Sequence, residues 1–416
     1  MKTEIKEKWA ALEAEINRRG GDGADFVAAM QELYAIWDER LYLWAAGLYD
    51  PKVGGFYFSE NARDNDPFLP DIESTNQAIT MIRELGMIKN EREDLPEWLK
   101  AKIGEFLLSC FDPEDGYFYH PQWGKNIIAA RRGRDLMWAS GMIRRYADVK
   151  LPAPTASERL KMSADTGDGK AKENLPEYLQ SEEAIVAYLK SWDWDKLAYP
   201  SGNNLAAQQD QIIAAGLADA AADFLNSIQD KETGMWGSTR GYDAVNGYLK
   251  ISSFYIAAGM VIPNAEKAID AVIDCLTSDE VAVTMCYQYN VWFTIMNIIK
   301  GLRNLGAEGD AVADKILLKT IKGAPAAIRK TREKILTFAI GDGSFAAGPS
   351  HESSGQSQGA WVDYKGTKTG NLNASIINSG EILDKIYSSM ELNDFFVPVF
   401  GKEDYQKFLA ALPKGE

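Results

Sequence analysis

A turn motif that recurs along the chain is the feature that most restricts the possible folds. The segments "YDPKVGGFYF" and "FDPEDGYFYH" align Asp50 with Asp112 and Gly54 with Gly116, and the aromatic residues after the glycines also match. Two shorter copies, "QDKETGMWG" and "IGDGSFAAG", place their glycines at 234 and 343. Internal similarity of this kind indicates an array of related supersecondary units.

A helical, mostly apolar segment follows each turn, and two further segments of the same kind fill the gaps between the copies. These six segments begin near residues 71, 131, 201, 242, 286 and 369. Between them lie amphipathic helices such as "PEWLKAKIGEFLLSC", whose apolar residues recur every three to four positions. The sequence therefore predicts an all-α fold, an (α/α)6 toroid of helical hairpins with the apolar helices innermost.

We expect one domain over residues 1–416, because the hairpin rhythm runs through the whole chain. The stretch "PAPTASERLKMSADTGDGKAKEN", at about 152–174, is polar and interrupts that rhythm. We interpret it as a polar insertion and not as a linker between domains.

Charge and the first residues restrict the class of partner. Lys and Arg total 45 against 60 Asp and Glu, a formal charge of -15, so the overall field repels nucleic acid and anionic membranes. The N-terminal stretch reads as a charged amphipathic helix without the apolar core of a secretion signal, and no apolar run suits a membrane span. We expect a cytoplasmic protein whose three cysteines stay reduced. The patterns indicate no particular oligomeric state.

Polar and aromatic side chains cluster at the predicted starts of the inner helices. An amide buried in an apolar ring needs a partner, whereas an amide that faces a wet cavity is satisfied by water or ligand. An oligosaccharide suits this mixture, because its hydroxyls need amides and its C–H faces stack on aromatic rings. The predicted binding residues are Arg132, Arg134, Trp123, Trp138, Asn76, Asn246, Lys250, Tyr289, His351, Trp361 and Asn373.

Three arginines, Arg131, Arg132 and Arg134, open one of these helices, although a helix N-terminus prefers acidic residues. A carboxylate or phosphate on a ligand would account for them, and we expect Arg132 and Arg134 to hold such a group. Pairing with the acidic residues of the preceding turn, 112–115, would account for them equally well.

The acids and bases at the same helix starts leave two reaction types open. Hydrolysis of a glycosidic bond needs a carboxylic acid and a carboxylate or activated water. Elimination from a uronic acid needs a cation or amide for the carboxylate and a His or Tyr to remove the C5 proton. The predicted catalytic residues are Asp135, Asp243, His120 and Glu73. Hydrolysis is favoured because acids outnumber histidines there, and a toroid that binds sugar or protein without catalysis is the remaining class.

Several kinds of active site have no counterpart in the sequence. It contains no HExxH, no CxxC and no cluster of histidines, so we expect no metal site, and it contains no nucleotide-binding glycine motif, so we expect no cofactor. The segment "GQSQG", 355–359, matches GxSxG, but no histidine follows position 351, as the α/β-hydrolase order requires. We interpret it as a chance match in a flexible loop.

The segment "DPEDGYFYH" followed by "RRGRDLMWASG" resembles the unsaturated glucuronyl and rhamnogalacturonyl hydrolases. In that family a Gly-aromatic-Tyr-His turn precedes a Trp-Ala-Arg-Gly-Asn-Gly-Trp helix in an (α/α)6 barrel, and the enzymes act on oligosaccharides left by polysaccharide lyases. The resemblance implies wall positions for His120, Arg134 and Trp138. The chain departs from the pattern, because "HPQWGK" lacks the catalytic aspartate of the family and Asp135 stands where an amide is expected.

The segment "QDKETGMWG" also resembles the Gly-x-Trp turns of squalene cyclases and prenyltransferases. Those enzymes need acidic diphosphate motifs or a zinc site, and this chain contains no adjacent pair of aspartates. This second resemblance therefore implies a fold and no activity.

Overall fold

The computed structural model describes residues 2–166 and 176–415. Helices make up 61% of the structure and strands 4%, which confirms the all-α prediction. In the described residues the strands form short antiparallel pairs, β1 (Tyr49–Asp50) with β2 (Gly55–Phe56) and β3 (Gln356–Ser357) with β4 (Ala360–Trp361).

Helices occur throughout the described residues. In chain order they are α1 (Lys2–Arg18), α2 (Gly23–Tyr34), α3 (Glu39–Ala46), α4 (Glu60–Arg63), α5 (Ile72–Glu84), α6 (Glu91–Asp94), α7 (Glu97–Cys110), α8 (Ala129–Met142), α9 (Ala156–Thr166), α10 (Glu182–Lys190), α11 (Ala198–Ala214), α12 (Ala218–Ile228), α13 (Gly241–Ala257), α14 (Ala265–Thr277), α15 (Cys286–Arg303), α16 (Ala307–Leu336), α17 (Leu372–Ile376), α18 (Ile382–Ser388) and α19 (Lys402–Ala411). Two π-helical turns extend this set, Ile143–Ala147 after α8 and Ile377–Glu381 between α17 and α18.

The apolar helices pack against one another in chain order. Helix α5 contacts α8, α8 contacts α11, α11 contacts α13, and α13 contacts α15. Helix α15 contacts α18, and both α17 and the π-helical turn that joins it to α18 contact α5. The series of contacts between apolar helices therefore begins and ends at α5.

The amphipathic helices lie against this set. Helix α14 contacts α15 and α16, and α2 contacts α16. Within the stretch 152–174, α9 contacts α11, and its residues Ala156 and Leu160 are fully buried. Residues 167–174 of that stretch lie outside the described residues.

The recurrent turn has a common structure in its copies. Asp50, Asp112 and Asp230 each accept a hydrogen bond at 2.8 Å from the backbone amide two residues further on. A short β-bridge closes each turn: β1 with β2, Phe111 with Phe118, Gln229 with Trp236, and Ala339 with Phe345. The turn glycines have φ angles of 85° at Gly54, 79° at Gly116, 71° at Gly234 and 100° at Gly343.

Substitution of a turn glycine tests this arrangement, with Gly216 as the matched control. Gly116 and Gly216 have φ angles of 79° and 73°, so Gly116→Ala and Gly216→Ala both incur the left-handed backbone cost of about 1–2 kcal/mol. A Cβ at Gly116 would also lie 2.6 Å from the backbone nitrogen of Ala156, whereas a Cβ at Gly216 meets nothing within 4 Å. We expect the free energy of unfolding in urea to fall by at least about 1 kcal/mol more in Gly116→Ala. Equal losses would contradict this packing.

Candidate functional site

The guanidinium of Arg131 lies at the centre of a buried charge cluster. Its Nε donates to Asp135 Oδ1 at 2.9 Å, its Nη1 to Glu73 Oε2 at 2.7 Å, and its Nη2 to Asp71 Oδ1 at 3.2 Å. All four residues are at most 1% exposed. We call them the Arg131 cluster.

The starts of two helices place these side chains. Asp71 is the N-cap of α5 and accepts from the backbone amide of Ser74 at 3.0 Å, and Glu73 lies in the first turn of that helix. Arg131 and Asp135 are four residues apart on α8, so their side chains share one face. The contact between α5 and α8 brings the two faces together.

Three carboxyl groups surround one guanidinium, so full ionisation would leave a net negative charge in the core. Burial raises the pKa of Asp135 to about 7, although Arg131 opposes this change. Burial also raises the pKa of Glu73, again against the effect of Arg131. Asp135 Oδ2 has no hydrogen-bond partner among the described residues. Asp135 therefore titrates near neutral pH, and its Oδ2 is free to carry the proton among the described residues.

The hairpin formed by β3 and β4 covers the Arg131 cluster. The backbone oxygen of Ser357 accepts from Arg131 Nη1 at 3.1 Å, and Ser357 Oγ donates to Glu73 Oε2 at 2.9 Å. Gln358 Oε1 accepts from Asn203 Nδ2 at 3.2 Å. Residues 355–359, the chance match to GxSxG, therefore contact the site through two adjacent residues, Ser357 and Gln358.

The aromatic residues before α8 close another side of the cluster. The backbone amide of Gln122 donates to His120 Nδ1 at 3.3 Å, so the proton of the neutral ring is on Nε2, which donates to the carbonyl oxygen of Pro70 at 2.7 Å. Burial lowers the pKa of His120 to about 4. Trp123 stacks on this ring with centroids 4.2 Å apart, and Arg131 lies 4.9 Å from the Trp123 centroid. Both nitrogens of His120 are occupied, which favours a structural role.

A second group of polar side chains continues from α8 across α11, α13 and α15. Arg134 Nη2 donates to Asn203 Oδ1 at 2.7 Å, and the guanidinium lies 5.7 Å from the ring centroid of Trp138. Asn290 Nδ2 donates to Asn246 Oδ1 at 3.0 Å. We call Arg134, Asn203, Asn246 and Asn290, together with Lys250 of α13, the inner polar group.

Two other predicted residues connect α5 and α15 to the segment that contains α17 and α18. Asn373 Oδ1 accepts from Gln77 Nε2 at 3.0 Å, and the same nitrogen donates to Glu73 at 3.2 Å. Tyr289 donates to Glu381 Oε2 at 2.5 Å. Glu381 ends the π-helical turn, a backbone feature that is frequent at functional sites.

Arg132 has a different environment from Arg131 and Arg134. Its guanidinium lies 4.7 Å from the ring centroid of Tyr117. Lys125 pairs with the acidic residues of the turn, at 2.6 Å from Asp112. The alternative in which the arginines of α8 pair across that turn is therefore wrong.

Four of the predicted residues lie apart from both groups. Asp243 is exposed and accepts from the hydroxyl of Tyr287 at 2.8 Å, and Asn76 Oδ1 accepts from Arg145 at 2.8 Å. His351 Nε2 lies 3.0 Å from the carbonyl oxygen of Thr337.

The fourth residue, Trp361, is 44% exposed and packs on Phe68 with ring centroids 4.7 Å apart. Its carbonyl oxygen accepts from Gln122 Nε2 at 2.5 Å. Trp361 therefore lies on the partly exposed side of the β3–β4 hairpin.

Several buried polar atoms in and around the two groups have no hydrogen-bond partner among the described residues. A buried polar atom without a partner costs about 1–3 kcal/mol, so a concentration of such atoms indicates a place where solvent or a ligand binds. The atoms are Gln77 Oε1, Trp123 Nε1, Arg134 Nε, Asp135 Oδ2, Asn246 Nδ2 and Asn290 Oδ1. We take the Arg131 cluster and the inner polar group as the candidate functional site.

The structure adds residues that the sequence analysis did not select. Arg131 was weighed with its neighbours, and its spacing of four from Asp135 was the available signal. Ser357 gave no such signal, because its partner Glu73 lies 284 positions away in the sequence. Asn203 stands at a predicted inner-helix start, but its partner Arg134 lies 69 positions away.

A separate cavity of about 630 Å³ lies between α8, α9 and α11, with Met137, Ser140 and Asp210 among its lining residues. No residue of the Arg131 cluster lines it.

Over residues 2–166 and 176–415, no group of three His, Cys, Asp or Glu side chains is placed to hold a metal ion. In the same ranges, every helix is too short or too polar to cross a bilayer.

Comparisons with protein-family models, with curated proteins and with solved structures find no match to this chain. The candidate site is therefore the basis for a functional proposal.

Removal of the central guanidinium tests the cluster. Arg131→Met leaves three buried carboxyl groups without their cation, so we expect the free energy of unfolding to fall by about 3–5 kcal/mol at neutral pH. Arg132→Met removes the same charge from the same helix and loses a contact with Tyr117 worth about 1 kcal/mol. Thermal and urea unfolding, monitored by circular dichroism, measure the loss of stability in each variant. Losses of equal size would show that the cluster has no special role in stability.

The proton held by Asp135 predicts a pH dependence of stability. The pKa of Asp135 is about 7 in the folded state, above the value of about 3.9 for an unfolded aspartate. Between these values the folded state binds one more proton, so the free energy of unfolding falls with rising pH by up to about 1.4 kcal/mol per pH unit. Asp135→Asn removes this contribution, so the free energy of unfolding should fall less steeply with pH. The exposed change Asp270→Asn should leave the pH dependence of the free energy of unfolding unchanged. Parallel curves for Asp135→Asn and the unaltered protein would contradict the assignment.

Proposed function

We propose that the apolar helices form the inner ring of an (α/α)6 toroid. The order of contacts that returns to α5 supports this arrangement, and so does the alternation of these helices with amphipathic α7, α12, α14 and α16. In such a ring, residues that are distant along the chain become neighbours at the starts of the inner helices. The bonds between α5 and α8, α8 and α11, and α13 and α15 agree with that expectation.

Within this ring, the chain is proposed to be an enzyme that hydrolyses a glycosidic bond in an acidic oligosaccharide, with a uronic acid as the expected acidic sugar. The observation that carries the proposal is Asp135, a buried carboxyl group with a pKa of about 7 and an oxygen without a partner. A general acid is most effective when its pKa lies near the working pH. Asp135 therefore suits protonation of the leaving oxygen.

Glu73 is the second carboxyl group that this reaction needs. Glu73 and Asp135 bind the same guanidinium, so the two carboxyl groups are held close to each other. Glycosidases use such a pair, one group as acid and the other as base or nucleophile. Ser357 caps Glu73, so entry of a substrate requires the β3–β4 hairpin to move away from the Arg131 cluster.

The surrounding side chains are those that bind a sugar with an acidic group. Trp123 and Trp138 offer aromatic rings next to the arginines of α8. Asn246 and Asn290 supply amide groups, each with an atom that lacks a partner in the described part of the chain. The guanidinium of Arg134 forms no ion pair within residues 2–166 and 176–415, which suits an acidic substrate.

Ultraviolet absorbance of unsaturated uronyl oligosaccharides tests the reaction. We expect the absorbance to fall with the unaltered protein, because hydrolysis releases a sugar that loses the conjugated double bond. Asp135→Asn should slow this decline by about 10²–10⁴-fold, the usual contribution of a general acid. Asp270→Asn, an exposed change on α14, is the control and should keep the rate.

Each other outcome has a distinct meaning. A rise in absorbance on saturated substrates would show elimination. A flat trace with oligosaccharide binding still detectable would show a toroid that binds without catalysis. If the absorbance falls equally fast in Asp135→Asn, Asp135 takes no part in the reaction.

A further inference from the structure

Two cations of the inner polar group lack, among the described residues, the carboxylate partners that Arg131 has. We propose that Arg134 and Lys250 form a subsite for a doubly charged oxyanion, such as a phosphate ester on the substrate. This inference rests on the proposed function for the rest of the ligand, but the subsite itself binds inorganic oxyanions.

Arg134 of α8 bonds Asn203 of α11, and Lys250 of α13 lies against the adjacent residue, Gly202. Gly202 of α11 lets Lys250 come close, since a Cβ at Gly202 would lie 2.8 Å from the Cβ of Lys250. Arg134 and Lys250 are partly exposed, whereas Arg131 is fully buried. Arg134 keeps one oriented donor without a partner, because its buried Nε has none among the described residues.

Charge distinguishes this place from the neighbouring cluster. Arg131 has three carboxylates within 3.2 Å. Among the described residues, no carboxylate lies within ion-pair distance of Arg134 or Lys250, and the charge of Arg134 adds to burial in lowering the pKa of Lys250 to about 8. Two like charges that repel each other are stabilised by an anion placed between them.

The number of charges favours a dianion over a carboxylate. A carboxylate neutralises one cation, whereas a phosphate ester carries a charge of about -1.5 to -2 at neutral pH and offers three acceptor oxygens. Arginine binds two of these oxygens with its fork, and lysine binds as a point charge. The buried Nδ2 of Asn246, also without a partner in the described part of the chain, adds a donor on α13.

Other titratable groups face Lys250 from the helices around it. Tyr199 of α11 lies next to Cys286 of α15 and interacts with Arg134, whereas Cys286 and Glu381 of the π-helical turn interact with Lys250. Glu381 favours the charged form of Lys250, and Arg134 opposes it. An anion bound between the cations would act in the same direction as Glu381, so binding should weaken as pH rises past about 8, where Lys250 loses its proton.

Cys286 provides a direct measurement of occupancy. It is partly exposed and contacts Tyr199, whereas Cys110 and Cys275 are buried, so iodoacetamide should modify Cys286 first. An oxyanion held by Arg134 and Lys250 should slow this modification. We expect inorganic phosphate to protect at a concentration at least about tenfold lower than acetate or glucuronate does.

Variants of the two cations are compared by the ratio of modification rates with and without phosphate. Arg134→Gln and Lys250→Gln should each raise the half-protecting concentration by about tenfold or more, because each loses a charged hydrogen bond. Lys250→Arg should keep the protection. With sulfate as the anion, the affinity of this variant should stay constant between about pH 7 and 9, because arginine remains protonated there. Arg132→Gln is the matched control on α8 and should behave as the unaltered protein does. Circular dichroism confirms that each variant is folded.

Three results would overturn the proposal: no protection by phosphate, equal protection by acetate, or protection that survives in both Arg134→Gln and Lys250→Gln. Protection without turnover of any oligosaccharide would leave the subsite in place and refute the hydrolase. Turnover without protection would refute the subsite alone.

Discussion

The bonds of one buried guanidinium hold together three separate parts of the chain. Arg131 connects the first turn of α8 with the N-cap and first turn of α5 and with the backbone of the β3–β4 hairpin. Burial of an ion is tolerable only when its hydrogen bonds and its charge are satisfied in the interior, and Arg131 meets this condition with four bonds. The relative positions of the two helices and the hairpin are therefore set by the geometry of a single planar group.

The same interaction gives the site its chemistry. Three carboxyl groups around one cation cannot all ionise without cost in a buried place, and burial raises the pKa of Asp135 to about 7. The carboxyl groups that join α5 to α8 through Arg131 are thus the same groups whose pKa burial raises. The hairpin that completes the cluster also stands between it and solvent, which connects access to the acid with movement of Ser357.

Position along one helix separates two kinds of arginine. Arg131 faces α5 and the carboxylates, whereas Arg134, one turn later, faces α11 and an amide. A rotation of roughly 300° for three residues, at 3.6 residues per turn, is enough to move a side chain from one neighbour to the next. The first arginine is paired with carboxyl groups, and the second has an amide partner and no carboxylate partner among the described residues.

The sequence by itself determined the helical class, the positions of the apolar helices and the turns between them. These features depend on local spacing: apolar residues at three and four, and a glycine with positive φ after an Asp-Pro or Asp-Lys start. It also indicated that Asp135, Glu73 and Arg134 belong near a site, because polar residues at helix starts stand out in an apolar segment. Only the tertiary structure decided which of those residues meet. Ser357 bonds Glu73 across 284 positions, and Asn373 bonds Gln77 across 296. Asp243 and His351 bond residues outside the site. Contacts between distant segments depend on packing, which no local pattern records.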